Sequence, residues 1–303
     1  MADLSVKICG VDFKNPIIPA SGVFGYGREY EELFPLSKLG GIATKGTTLH
    51  RRTGNLAPRI AETPSGMLNS VGLQNPGIDH FIEKELPYLL TKNLAVLANI
   101  AGSTPDECAE VAAKLEPTDV HMIELNISCP NVKQGGAAFG TSCEMAAEVV
   151  SRVRKVTSKP LVVKLSPNVT SITDIAKAVE AAGADAVSLI NTLLGMRIDI
   201  NTGRPILRNN VGGMSGPAVF PIAVRMVWQV ANAVNIPVIG MGGVASGRDA
   251  IELMMAGASA VQVGAAIFTD PMAPVKIVDE MNDFLDSKGI SSVADIVGTV
   301  KPW

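Results

Sequence analysis

Residues 180–190 read EAAGADAVSLI and residues 254–264 read MMAGASAVQVG. The two are near copies: the end of a helix, a glycine, small residues, then an apolar run. Glycine after a helix accepts the left-handed conformation that closes the last turn. A near-continuous apolar run is what a parallel strand covered on both faces requires. Repeating this join along a chain is the mark of stacked βα units. Working outward, runs of the same kind occur at 16–20, 41–45, 95–100, 122–127, 161–165, 186–190, 237–240 and 260–263. Helical segments lie between them. Thr104 before Pro105, Asp106 and Glu107 predicts a capped helix start. Residues 142–156 have helical spacing, 172–182 run into Gly183, and 246–256 run into Gly257. Eight βα units in 303 residues predict an α/β fold, a (β/α)8 TIM barrel, rather than an open doubly wound sheet. The opening LSVKICGVDFKNP (4–16) reads as an N-terminal β-hairpin able to plug the lower end of the barrel. Stretches 47–87 and 193–217 are too long for simple connections, and such insertions belong at the C-terminal face. No linker or low-complexity segment interrupts the chain, so residues 1–303 are expected to form a single domain.

Composition narrows the class of function. The chain is 47% hydrophobic and 4% aromatic, with 29 glycines, which suits an α/β protein better than an all-β sandwich. No apolar run reaches the roughly 18 residues of a membrane span. The first residues carry acids and an early turn and do not read as a secretory signal. A formal net charge of -3 without a basic run argues against nucleic acid as the main partner. These features predict a soluble, cytoplasmic protein. The cysteines, Cys9, Cys108, Cys129 and Cys143, have no C-x-x-C spacing, so none of them forms a recognisable zinc or iron–sulfur ligand set. His50, His80 and His121 likewise lack ligand spacing and read as surface or packing residues.

The chemistry is expected at the ends of the runs. IPVIGMGGVASGRDA puts Gly242 and Gly243 after the seventh run, and AVQVGAAIF puts Gly264 and Ala265 after the eighth. Glycines there let backbone N–H groups approach a phosphate, and barrels commonly bind phosphate at this place. Gly216 could complete the cradle; the same glycines would also serve simply as tight turns. Lys45 and Lys164 end apolar runs, where an ammonium needs a negative partner unless it reaches solvent. A reduced flavin is such a partner. Asn99, Asn126 and Asn191 end three further runs; asparagine is a poor strand former, so the set suggests donors and acceptors around a planar, amide-rich ligand. Cys129 follows the fourth run and precedes a glycine-rich loop. A thiol there is either a small packing residue or, with a lowered pKa, a general base.

The segment LNISCPNVKQGGAAFG (125–140) resembles the catalytic segment of dihydroorotate dehydrogenases. GMLNSVGLQNPG (66–77) resembles their substrate loop, and ATKGTTLHRRTGN (43–55) their second-strand segment; LINTL (189–193) and GMGGV (240–244) fit as well. The resemblance runs over essentially the whole chain. It implies oxidation of dihydroorotate to orotate on FMN in pyrimidine synthesis, with Cys129 as base and Lys45 at the catalytic centre. It implies FMN contacts from Ser21, Lys45, Gly46, Asn99, Asn126, Lys164, Ile190, Gly216, Gly242, Gly243, Gly264 and Ala265. It implies substrate contacts from Lys45, Asn69, Ser70, Val71, Gly72, Leu73, Asn126, Asn131, Asn191 and Thr192. KQGGAAFGT after Cys129-Pro130-Asn131 resembles class 1B rather than the fumarate-using class 1A. Class 1B resemblance implies a partner subunit carrying FAD and a [2Fe–2S] cluster, through which electrons reach NAD+, and a homodimer within a heterotetramer. The chain itself has no Gly-x-Gly-x-x-Gly dinucleotide motif. A dihydropyrimidine dehydrogenase-type enzyme shares the cysteine loop, but that family tends to carry histidine where this chain has Asn131. A lyase acting on a phosphosugar would use the same glycine loops, and a catalytically silent flavin-binding chain would keep the cradle without needing Cys129.

Overall fold

A computed structural model describes residues 2–128 and 139–303. Eight parallel strands carry the fold: β1 (Ile17–Pro19), β2 (Gly41–Ala43), β3 (Ala95–Ile100), β4 (Met122–Asn126), β5 (Leu161–Lys164), β6 (Ala186–Leu189), β7 (Val238–Met241) and β8 (Ala260–Val263). Their order in the sheet is β1-β8-β7-β6-β5-β4-β3-β2, so every strand lies beside its sequence neighbour. The two ends of that order meet where Gly40 N–H donates to the Ile17 carbonyl at 3.1 Å. This is the (β/α)8 barrel expected from the repeated joins.

Side-chain parity shows why these runs make a barrel. Successive strand residues point to opposite faces. Ile17, Ile42, Val96, Ile123, Val163, Val187, Val238 and Val261 share one cluster with the outer helices. Ile18, Ala43, Leu97, Met122, Val162, Ala186, Ile239 and Ala260 fill the barrel interior instead. Both faces are therefore apolar, and the strands read as unbroken hydrophobic runs. Ile8 and Phe13 join the interior cluster from the hairpin Val6–Ile8 and Val11–Phe13. Cys9 and Gly10 turn that hairpin with φ of 50° and 85°. The hairpin closes the barrel floor, and burying each of its large side chains contributes roughly 1.5–3 kcal/mol.

Helices start and stop where local chemistry dictates. Pro105–Leu115 is capped by Thr104, whose side chain accepts from Glu107 N–H. Gly247–Met255 begins with a reciprocal capping box between Ser246 and Asp249. Ile172–Ala181 and Gly247–Met255 are followed by Gly183 and Gly257 at φ of 103° and 116°. The second strand is shorter than its apolar run. Thr44 N–H still bonds the Leu97 carbonyl, but Lys45 N–H turns away to the Gly25 carbonyl at 3.1 Å. Lys45 thus leaves the ladder at the barrel mouth.

The two long insertions form one structure. Strands Ile60–Thr63 and Gly66–Asn69 come from the first insertion, and Leu193–Gly195 and Gly212–Ser215 from the second. They pair antiparallel in a four-stranded sheet, with Gly213 opposite Asn69 and Ser215 opposite Met67. Among the described residues no helix is long and apolar enough to cross a membrane.

Candidate active site

The inward-facing parity changes chemistry at one level of the barrel. Two residues beyond Leu97, Met122, Val162, Ala186 and Ala260 stand Asn99, Glu124, Lys164, Ser188 and Gln262, all buried. One layer of aliphatic side chains thus gives way to a layer of polar ones, which requires hydrogen-bonding partners in the protein or in a ligand. Above this layer opens a cavity of about 410 Å³. That volume is in the range of small-molecule sites. Every strand reaches it along the same parity: Ala20, Lys45, Asn99, Asn126, Lys164, Ile190, Met241 and Gly264 all line it. The inter-insertion sheet covers it with Ile60, Met67, Asn69 and Ser215.

The residues expected to hold a cofactor, Ser21, Lys45, Gly46, Asn99, Asn126, Lys164, Ile190, Gly216, Gly242, Gly243, Gly264 and Ala265, all line this one cavity. Of those expected to hold substrate, Asn69, Val71, Gly72, Leu73, Asn191 and Thr192 line it too. Ser70 does not; it is fully buried behind that loop, and its N–H donates to the Arg59 carbonyl at 2.7 Å. Cys129 and Asn131 lie outside the described residues. None of the three histidines lines this cavity: His121 Nδ1 accepts from Val96 N–H at 3.1 Å, His80 lies 3.3 Å from Glu85, and His50 is exposed.

Local bonds fix the polar rim. Asn126 Oδ1 accepts from Ser128 N–H at 3.1 Å and from Ser128 Oγ at 3.0 Å. Asn191 Nδ2 donates to Ser128 Oγ at 2.6 Å, and Asn191 Oδ1 accepts from Thr192 N–H at 2.8 Å. Lys164 is only 5% exposed, and among the described residues no carboxylate pairs with it. A buried ammonium in that position favours an anionic occupant. Gly243 lies at φ 78°, where a Cβ would strike Phe220 and the Gly216 carbonyl within 2.9 Å. Gly264 differs: a Cβ there would project into open space, its nearest neighbour being Ala20 Cβ at 3.8 Å. The cavity wall at Gly264 is bare backbone, the surface a phosphate can approach.

Sequence reading did not single out Glu124, Ser188 or Gln262. Glu124 is fully buried and accepts from Asn99 Nδ2 and Gln262 Nε2, each at 2.6 Å, and from Ser188 Oγ at 2.9 Å. Parity was the available signal, since each polar residue falls two positions after a buried interior one. Two thiols are held away from reactivity: burial pushes Cys9 up to about 11, with Asp185 adding to it, and pushes Cys108 up to about 12.

Chain-wide similarity to known proteins agrees with this geometry. Residues 3–285 match the family model for dihydroorotate dehydrogenase. The chain belongs to the dihydroorotate dehydrogenase family. A relative from Bacteroides thetaiotaomicron is 55% identical over 302 residues, covering 99% of this chain and 100% of the relative. One from Geobacillus sp. is 54% identical, covering 98% and 96%, and one from Petrotoga mobilis is 53% identical, covering 99% and 100%. Each of the three is named dihydroorotate dehydrogenase B (NAD(+)), catalytic subunit. Dihydroorotate dehydrogenases as a family are flavin-dependent.

Proposed function

We propose that this chain oxidises (S)-dihydroorotate to orotate in pyrimidine synthesis, as the FMN-binding catalytic subunit of an NAD+-linked enzyme. The observation that carries this reading is the cavity in which Lys45, Lys164, the strand-end asparagines Asn99, Asn126 and Asn191 and the glycine turns of β7 and β8 converge, in a member of this family. The cavity fits FMN on three counts. The bare backbone at Gly264 leaves room for a phosphate. The buried Lys164 ammonium suits a ring system that gains negative charge. Two buried acceptor atoms, Asn99 Oδ1 and Gln262 Oε1, have no partner among the described residues and suit a ring N–H.

Oxidation removes a proton from C5 and a hydride from C6 of dihydroorotate, leaving a C5–C6 double bond. FMN, when bound, supplies the hydride acceptor. Cys129 takes the C5 proton as its thiolate. Asn69, Val71, Gly72 and Leu73 of the first insertion hold the substrate together with Asn126, Asn191 and Thr192, whose amide and hydroxyl groups complement the imide and carboxylate edges of dihydroorotate. Ser70 sits behind that loop and shapes it, and Asn131 belongs to the substrate set read from the catalytic segment. Lys45 and Lys164, which both line the cavity, would supply positive charge to the reduced flavin. The insertion sheet over the mouth excludes bulk water. The whole of residues 1–303 acts as one domain, in the cytoplasm, as a homodimer within a heterotetramer. The partner subunit carries FAD and a [2Fe–2S] cluster and delivers electrons to NAD+.

The test is anaerobic addition of dihydroorotate to the purified chain while flavin absorbance is followed. Stoichiometric bleaching with release of orotate is expected. A colourless protein, or a yellow one that dihydroorotate leaves oxidised, would refute the reading.

A further inference from the structure

A buried carboxylate beneath a ligand cavity costs several kcal/mol unless its oxygens are fully bonded. Glu124 has no exposed surface, and the flavin and substrate roles above do not use it. Its Oε1 accepts from Gln262 Nε2 and Ser188 Oγ, and its Oε2 accepts from Asn99 Nδ2. A carboxylate only accepts, whereas an amide has one donating and one accepting end. Both amides must therefore turn their NH2 groups to Glu124. Their other ends, Asn99 Oδ1 and Gln262 Oε1, are fully buried and without partners among the described residues. Both residues line the cavity. A buried acceptor left unbonded is destabilising, so the arrangement is complete only when a ligand donates.

We propose that Glu124 is a positioning residue that locks the Asn99 and Gln262 amides with their carbonyl ends as acceptors, and so makes the cavity select a ring bearing an N–H donor. This rests on the reading that the cavity holds FMN, whose oxidised ring system has a single N–H, at N3 between two carbonyls. Glutamine at position 124 would keep shape and volume but bring its own NH2 group. That group must donate to one of the two amides, which has to turn and present NH2 where the ligand's N–H arrives. Two donors then face one another. Ser188 serves Glu124 without any end that can reverse its role toward the cavity.

The experiment compares binding of FMN and 3-methyl-FMN, which lacks the N3 donor, to apoprotein of the wild type and of Glu124→Gln, Ser188→Ala and Gln262→Leu. Folding of each is checked by a cooperative thermal melt. The wild type should prefer FMN by at least about tenfold, the scale of one donor left facing or missing an acceptor. Glu124→Gln should weaken FMN binding by about ten- to a hundredfold and bring the FMN to 3-methyl-FMN ratio toward one. Ser188→Ala should keep the ratio. Gln262→Leu removes one oriented acceptor and should lower the ratio, which decides the matter if Glu124→Gln does not fold. A wild type that binds both flavins equally, or a Glu124→Gln or Gln262→Leu protein with the wild-type ratio, would overturn the proposal while leaving FMN binding itself intact. Failure of the wild type to bind FMN at all would instead remove the functional reading beneath it.

Discussion

Cys129 and Gly264 carry the proposed chemistry at the scale of single residues. A thiol acts as base only when deprotonated, so flavin reduction by dihydroorotate should rise with pH and level off above the thiol's pKa. A free thiol titrates near pH ~8.5, and a neighbouring cation lowers that. Cys9 and Cys108, at about 11 and about 12, stay protonated through that range, so an inflection between about pH 6 and 9 belongs to neither. Cys129→Ala should keep its FMN and slow the half-reaction by about 10²–10⁴-fold, the usual worth of a general base. Stopped-flow bleaching across pH measures both, and a wild-type rate in Cys129→Ala would move the base elsewhere. Gly264→Val tests the cradle with little strain, because its Cβ meets nothing closer than 3.8 Å in the protein. Its extra methyl groups enter the space assigned to phosphate. The purified variant should carry far less flavin per chain by absorbance than the wild type. Full flavin content in this variant would place the phosphate elsewhere.

At the scale of elements, the sheet built from the two insertions decides substrate binding. Its strands approach so closely that a Cβ on Gly66 would stand 2.0 Å from the Ser215 carbonyl oxygen, and Gly66 already lies at φ 156°. Gly66→Ala must push the strands apart, displacing Met67 and Asn69 from the cavity. The expected result is a dihydroorotate KM raised about tenfold, equivalent to ~1.4 kcal/mol. Steady-state kinetics on the flavin-loaded variant checks it; an unchanged KM would mean that the sheet is only a cover. The barrel strands were legible as elements because both of their faces are apolar. The insertion strands were not: Ile60–Thr63 and Gly66–Asn69 are short and half-exposed, and the sheet they belong to exists only because a segment about 150 residues away pairs with Gly66–Asn69.

At the scale of the whole molecule, the proposal concerns where electrons leave. No C-x-x-C spacing exists in the chain, and among the described residues no cluster of histidine, cysteine or carboxylate side chains could hold a metal. A separate electron-transfer subunit follows from the class 1B reading. The chain alone, loaded with FMN, should reduce an artificial dye with dihydroorotate but reduce NAD+ slowly; adding the partner subunit should restore NAD+ reduction. Absorbance at the NADH band separates the two, and rapid NAD+ reduction by the isolated chain would refute the division of labour. The barrel, its plug and the cavity form one object on this scale. The apolar interior layer supports the polar layer, and the polar layer is the cavity floor.

The sequence by itself determined the eight βα units, the hairpin plug and the strand-end residues Lys45, Asn99, Asn126, Lys164 and Asn191 that line the cavity. Those properties are local: a parallel strand declares itself by its unbroken apolar run, a helix by its cap and closing glycine, and a strand-end lysine or asparagine by its misfit with that run. Only the tertiary structure decided that two insertions pair into one sheet over the mouth, and that Glu124, Ser188 and Gln262 join Asn99 in a single buried network. Glu124 and Gln262 lie on β4 and β8, far apart in the chain. Closing a barrel brings the same parity position of every strand to one level around one axis, and no reading of a strand taken alone contains that distance.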